Sequence, residues 1–172
     1  MREEVVLVDE QDRPLGRADK LDAHARNLRH RAISVLIFDP AGRMLMQRRS
    51  AAKYHSAGLW SNACCSHPRP AEAAAAAASR RLEEELGFAC PLRHVGRTAY
   101  QAEVGNGLCE NEVVHVFVGE HRGEVHPDPD EVADIAWRRP SEIRAGMAEQ
   151  AGRYTPWFRL YSQADWFDAP TR

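Results

Sequence analysis

Residues 70–87 constrain the fold more than any other stretch of the chain. The segment opens on Pro70, suited to a first helical position, and passes through an unbroken alanine block at 73–78. It closes on Gly87, a common helix stop. Ala71, Ala75, Ala78, Leu82 and Leu86 recur at helical spacing, which predicts a helix over 70–86 with that row buried. Arg80 with Glu84 and Arg81 with Glu85 are i, i+4 pairs along its flank. Around it the patterns are those of short strands, at 5–8, 32–38, 44–49, 59–65, 93–100, 110–118 and 135–138. A hairpin turn is predicted at Asp39-Pro40-Ala41-Gly42 and another turn at 104–107. Two late helices are predicted, one near 141–150 and one capped by Thr155-Pro156 and running toward Phe167. One central helix among mixed strands, with helices at the end, predicts an α+β domain layered α/β/α.

Composition narrows the function classes. The 172 residues suit one domain spanning 1–172, and 44% hydrophobic with 28% charged residues excludes a wholly disordered chain. A net charge of −2 lacks the basic excess of a nucleic-acid binder, so no nucleic-acid partner is expected. No apolar run approaches the roughly 18 residues of a membrane span. The first residues, MREEVVLVDEQDRP, carry acids where a secretory signal carries a basic and then apolar stretch. The expected compartment is the reducing cytoplasm, with no membrane partner and a monomeric chain. Four cysteines, at 64, 65, 90 and 109, are too few and too irregular for a disulfide framework, so thiol or metal chemistry is the better reason to examine them.

Parity selects the chemical residues. In extended chain i and i+2 share a face, so Cys65 accompanies His67 and Glu110 accompanies Glu112. Val114, Val116 and Val118 continue the glutamates' row, which puts two carboxylates at the end of an apolar, core-facing stripe. A buried carboxylate demands a partner, a proton or a metal. His24 and His30, just before the first long strand, add two imidazoles. Three histidines and two carboxylates suit Zn²⁺, Mn²⁺ or Mg²⁺. His55, His94, His115, His121 and His126 lack such companions and read as structural.

The helix pattern Glu72-x7-Arg80-x-Leu82-x-Glu84-Glu85-x-Gly87-Phe88 resembles the Nudix box, whose carboxylates hold Mg²⁺ against a diphosphate. Two positions depart from it: Ser66 stands where the box has glycine, and Arg81 where it has a glutamate. Arg81 removes a carboxylate of the hydrolytic set and puts a cation beside the diphosphate, which favours gripping over cleaving. With His24…His30-Arg31-Ala32-Ile33-Ser34, Gln47-Arg48-Arg49, the run from Gly58 to Pro68, Glu110-Asn111-Glu112-Val113 and Tyr154-Thr155-Pro156-Trp157-Phe158, the chain resembles the type I isopentenyl-diphosphate isomerases. These form a non-hydrolysing branch of the Nudix superfamily.

That resemblance implies a Nudix-type fold with an extra N-terminal strand and C-terminal helices. It also implies transposition of a carbon–carbon double bond through a tertiary carbocation, in a pocket closed to water. It assigns Cys65 and Glu112 as the two acid/base groups facing one another across the cavity, and Tyr100 as the residue orienting Glu112. Trp157 presents a π face to the cation. His24, His30, His67, Glu110 and Glu112 hold one divalent metal, and Glu85 holds Mg²⁺. Lys20, Arg49, Lys53 and Arg81 reach the phosphate oxygens of a small-molecule diphosphate. The rival readings are a Nudix pyrophosphohydrolase acting on a nucleoside diphosphate derivative and a non-catalytic zinc-binding module. The first has no need of Cys65, and nothing in the sequence specifically supports the second.

Overall fold

The structure, a computed structural model, describes residues 3–168. Met1 and Arg2, at the head of the acidic N-terminal stretch, lie outside them. In chain order the elements are β1 (Glu4–Val8), β2 (Pro14–Asp19), α1 (Lys20–Ala25), β3 (His30–Phe38), β4 (Met44–Arg49), β5 (Trp60–Asn62) and β6 (Cys64–Ser66). There follow α2 (Ala74–Leu86), β7 (Leu92–Gly105), β8 (Leu108–Glu120), β9 (Val132–Arg138), α3 (Pro140–Glu149) and α4 (Pro156–Tyr161).

β3 is the axis. β8 runs parallel to it over its whole length, from His30↔Glu112 to Phe38↔Glu120, while β6 pairs antiparallel on its other edge at Ile33–Val35. β7 and β8 form a long hairpin, and β4 joins β9 and β5. Two cores follow from strand alternation. Ile33, Val35 and Ile37 pack with Ala77, Ala78, Leu82 and Leu86 of α2. Ala32, Leu36, Val114, Val116 and Val118 pack on the other face against Ile143 of α3, Trp157 and Phe158 of α4, and Phe167. Being covered on both faces, β3 reads as a nearly unbroken apolar run. The layering is the α/β/α arrangement expected, built on a mixed sheet.

Four local expectations are corrected. Helix α2 begins at Ala74, not Pro70, and both Ala71 and Ala75 are exposed; the buried set is Ala77, Ala78, Leu82, Glu85 and Leu86. The start is delayed because Arg69–Glu72 closes a turn of its own, with Ala71 at φ +67°. The Glu72 carboxylate accepts from the Arg69 N–H (2.8 Å) and clasps Arg80 through two bonds of 2.7 and 2.8 Å. The C-terminal stop does fall at Gly87, at φ +72°, where a Cβ would lie 2.6 Å from the His126 carbonyl oxygen.

The run 59–65 is two strands broken at Ala63, and so serves two neighbours, β4 and β3. The hairpin turn forms, closed by Gly42 N–H to Asp39 O at 3.0 Å. Its strands then pair only at Phe38↔Met44 before diverging. Finally, α4 ends at Tyr161 and a separate short turn carries Asp165–Phe167. On one continuous helix Phe167 would lie about 180° around the axis from Phe158. The break returns it to the same core, with ring centroids 5.6 Å apart.

Candidate active site

One cavity of about 90 Å³ opens on the face of the sheet that carries α4. Cys65 and Glu112 both line it. Their strands, β6 and β8, flank the two edges of β3, so both side chains rise from the same floor. Cys65 is placed opposite Ser34, and Sγ lies 3.4 Å from Ser34 Oγ and donates to Asn62 Oδ1 at 3.2 Å. Burial pushes the Cys65 thiol up to about 12, against those two hydrogen bonds. Cys64, of opposite parity, is buried in the α2-side core. All four cysteines are free thiols.

Tyr100, from β7, sits opposite Glu112. Its hydroxyl lies within donating distance of both Glu110 Oε2 (2.5 Å) and Glu112 Oε2 (3.0 Å). Both glutamates are 5% exposed. Burial and the charge of Glu112 push Glu110 well above the ordinary carboxylate range. Burial acts the same way on Glu112, but hydrogen bonds from His30 and His67 overcome it and hold that carboxyl well below. Trp157 is fully buried and donates from Nε1 to Ser61 Oγ at 2.9 Å.

The histidines converge beside Glu112. His67 Nε2 lies 2.8 Å from Glu112 Oε1, and His30 Nε2 lies 3.3 Å from it; the two ring nitrogens are 3.2 Å apart. The donors fit a divalent ion. His24 Nδ1 bonds the Lys20 carbonyl (2.7 Å) and His30 Nδ1 the Leu28 carbonyl (2.8 Å), the outer contacts that fix a ligating tautomer and turn Nε2 inward. The buried Nε2 of His24 has no hydrogen-bond partner. Burial draws His67 down to about 4, leaving the neutral ring a metal requires. The ligating atoms of His24, His30, His67 and Glu112 lie within 4.8 Å of one another. Glu110 is not in that group. It falls in a second one, with His24 and His55. His55, read as structural from the sequence, is 4% exposed, lines the cavity, and its Nε2 stands 3.3 Å from Glu110 Oε1. His94 and His115 instead pair with each other on the outer face, His121 stacks on Phe88, and His126 is exposed.

The cavity mouth is cationic. Lys20, Arg49, Lys53 and Arg81 all line it, from the start of α1, the end of β4, the following loop and α2. Two acids unforeseen from the sequence hold three of these cations: Glu3 pairs with Lys20 at 3.0 Å, and Glu131 with Lys53 and, at 3.1 Å, with Arg81. Arg49 bonds the His55 carbonyl (3.1 Å) and lies over the Trp157 ring at 5.3 Å. The buried Nε atoms of Arg49 and Arg81 have no partner, two donors suited to an anion. Glu85 lies behind this wall, accepting from Arg81 (2.6 Å) and Gln47 (3.0 Å); Oε1 of Gln47 is buried and unpartnered. Those oxygens suit a hard cation. Ser34, Ser61, Asn62 and Gln47 stand in the segments that carry the resemblance but take no role from the sequence, because ordinary polar residues on strands carry no local signal of their own. The Lys53-Tyr54-His55-Ser56 segment did carry one, aromatic and ionisable groups packed into a turn ahead of Gly58.

A mixed sheet between helical layers, with Glu72, Arg80, Glu84 and Glu85 on and beside α2, defines a Nudix domain, and the NUDIX domain family matches residues 28–158. A Deinococcus radiodurans crystal structure shares this fold, with a TM-score of 0.73 at 17% identity over 89% of this chain and 92% of that one. A MutT protein of Methanosarcina mazei does so at 0.65 and 19%, over 78% of this chain and 91% of that one. Sequence relatives are nearer. The Isopentenyl-diphosphate Delta-isomerase of Burkholderia multivorans is 49% identical over 92% of this chain and 90% of its own length. Isopentenyl-diphosphate Delta-isomerase 1 of Aromatoleum aromaticum is 50% identical over 91% and 89%. The chain belongs to the isopentenyl-diphosphate Delta-isomerase family of Nudix proteins.

Proposed function

We propose that this enzyme interconverts isopentenyl diphosphate and dimethylallyl diphosphate. The observation that carries the reading is one cavity with a four-cation mouth and a floor bearing Cys65 and Glu112. An ionic handle binds and orients the diphosphate, and the five-carbon chain extends inward. Protonating its alkene makes a tertiary carbocation, and removing a proton from the neighbouring carbon gives the isomer. Addition and removal need two acid/base groups, and Cys65 and Glu112 fill those roles. In the reverse reaction each takes the other's part. Tyr100 orients Glu112, while Ser34 and Asn62 hold the Cys65 thiol. The Trp157 ring, fixed by Ser61, offers its π face to the cation and helps exclude water.

Lys20, Arg49, Lys53 and Arg81 grip the diphosphate, displacing Glu3 and Glu131. His24, His30, His67 and Glu112, with Glu110 alongside, would hold a divalent ion of the Zn²⁺, Mn²⁺ or Mg²⁺ class. Glu85, with Gln47 beside it, would hold Mg²⁺ at the diphosphate. The metal supplies positive charge that sets the protonation of its carboxylate ligands. The pyrophosphohydrolase alternative is weaker, since Arg81 replaces a hydrolytic carboxylate and Glu72 is spent on Arg80. NMR of isopentenyl diphosphate incubated with the protein in deuterated buffer tests the choice. The isomerase gives the allylic product, deuterated at the exchange sites, with no phosphate release; release of phosphate without isomer sinks the reading.

A further inference from the structure

Glu131, just ahead of β9, meets two cations of the cavity mouth at once: Lys53 in the loop after β4 and, at 3.1 Å, Nη2 of Arg81 on α2. Its side chain is half-buried and lines the cavity with theirs. The backbone that carries it is fixed on both sides. The Ser50 N–H donates to the Glu131 carbonyl (3.0 Å), the Glu131 N–H donates to the Asp128 carbonyl (3.1 Å), and the next residue, Val132, pairs with Arg49 in the β4–β9 ladder. Lys53 hangs from the same anchor, its N–H donating to the Ser50 carbonyl at 3.2 Å. The carboxylate is thus tethered at the mouth by its own short side chain. It is an anion that cannot diffuse away and so meets its cations at a high effective concentration.

A carboxylate and a phosphate ask the same of these cations. Arg81 gives Nη1 to Glu84 (2.7 Å) and Nη2 to Glu85 (2.6 Å) and Glu131, while its buried Nε is open, as is the Nε of Arg49. A diphosphate entering the mouth finds those two donors free, but it finds Lys53 and Nη2 of Arg81 already holding an anion. The two isomers carry the same diphosphate, so the strength of the grip acts on substrate and product alike and leaves the barrier between them unchanged. Beyond the hold that orients the chain, a tighter grip only delays release. We propose that Glu131 is an internal counter-anion that competes with the diphosphate for Lys53 and Arg81, loosening the grip on both isomers and taking the two cations back as the product leaves. The identity of that substrate and product rests on the isomerase reading; the competition is a property of the mouth itself.

The test is calorimetric binding of inorganic pyrophosphate, with Mg²⁺, to metal-loaded wild type, Glu131→Gln and Glu131→Asp. Two partly exposed ion pairs are at stake, so Glu131→Gln binds pyrophosphate about 3- to 30-fold more tightly than wild type. The gain appears as slower dissociation in stopped-flow displacement. Glu131→Asp, which keeps the charge, binds less tightly than Glu131→Gln; equal tightening in the two shows that the charge is not the cause and overturns the proposal. Equal or weaker binding by Glu131→Gln also overturns it. A crystal structure of wild type with pyrophosphate bound supplies a readout that needs no variant. There the Glu131 carboxylate off Lys53 or Arg81 supports the proposal, and its retention on both overturns it. Isomerase turnover with no gain in pyrophosphate affinity in Glu131→Gln removes this inference alone. Tighter pyrophosphate binding by Glu131→Gln, in a protein whose wild type never isomerises isopentenyl diphosphate, removes the functional reading and leaves the competition standing.

Discussion

Removing the Tyr100 hydroxyl isolates one interaction in the site. The side chain reaches Glu110 Oε2 at 2.5 Å and Glu112 Oε2 at 3.0 Å, yet a phenol has a single proton to give. Tyr100→Phe keeps the ring and its edge contact with Tyr161 (6.5 Å) and deletes only that donor. A hydrogen bond to a charged group is worth about 1.5–3 kcal/mol, and Glu112 is 5% exposed, so water does not replace it. If the bond orients Glu112 for proton transfer, the loss appears in the barrier. At about 1.36 kcal/mol per decade, kcat falls roughly 10- to 150-fold. The cationic mouth is untouched, so KM for isopentenyl diphosphate moves by less than about threefold. Steady-state isomerisation by NMR measures both, with metal content and a thermal melt as controls on integrity. A kcat within about twofold of wild type, or a loss carried wholly by KM, refutes the orienting role.

Cys65→Ala deletes one of the two acid/base groups at little cost to packing. Isomerisation should drop by about 10²–10⁴-fold or more with the melting temperature nearly unchanged, and near-normal turnover removes the two-group scheme. Chelation should abolish activity and lower the melting temperature, since His24 and its neighbours lose the ion that satisfies them; added divalent metal should restore both. Full turnover in rigorously metal-free protein contradicts the His/Glu site. Hydrogen bonds from Arg80 hold Glu72 below its ordinary pKa, so its stabilisation is complete above the ordinary glutamate range and is lost as pH falls through the lowered native value. The stability gap between wild type and Glu72→Gln, about 0.2–1 kcal/mol near neutral pH, should close in thermal melts once the pH has fallen below the lowered native value. A gap that persists there shows that Glu72 acts through something other than its charge.

What the amino-acid order determined by itself is everything with a short period. Alternation put Cys65 with His67 and Glu110 with Glu112; i, i+4 spacing paired Arg81 with Glu85; Gly87 stopped the helix; Thr155-Pro156 started another. These are properties of a backbone within one or two turns of itself, and they were legible wherever the neighbourhood did not interfere. Where it did interfere, the local rule lost: Glu72's clasp on Arg80 held residues 70–73 out of the helix, and the pull of Phe167 into the core broke the last one. Only the tertiary structure decided that β6 and β8 flank the same strand, and so that Cys65 and Glu112 rise from one floor. It alone folded the 50–59 loop inward to place His55 beside Glu110, and brought Glu3 and Glu131 onto the cationic mouth. The physical reason is that pairing between distant strands and loops is chosen by burial and charge summed over the whole molecule, which no window of neighbouring residues contains.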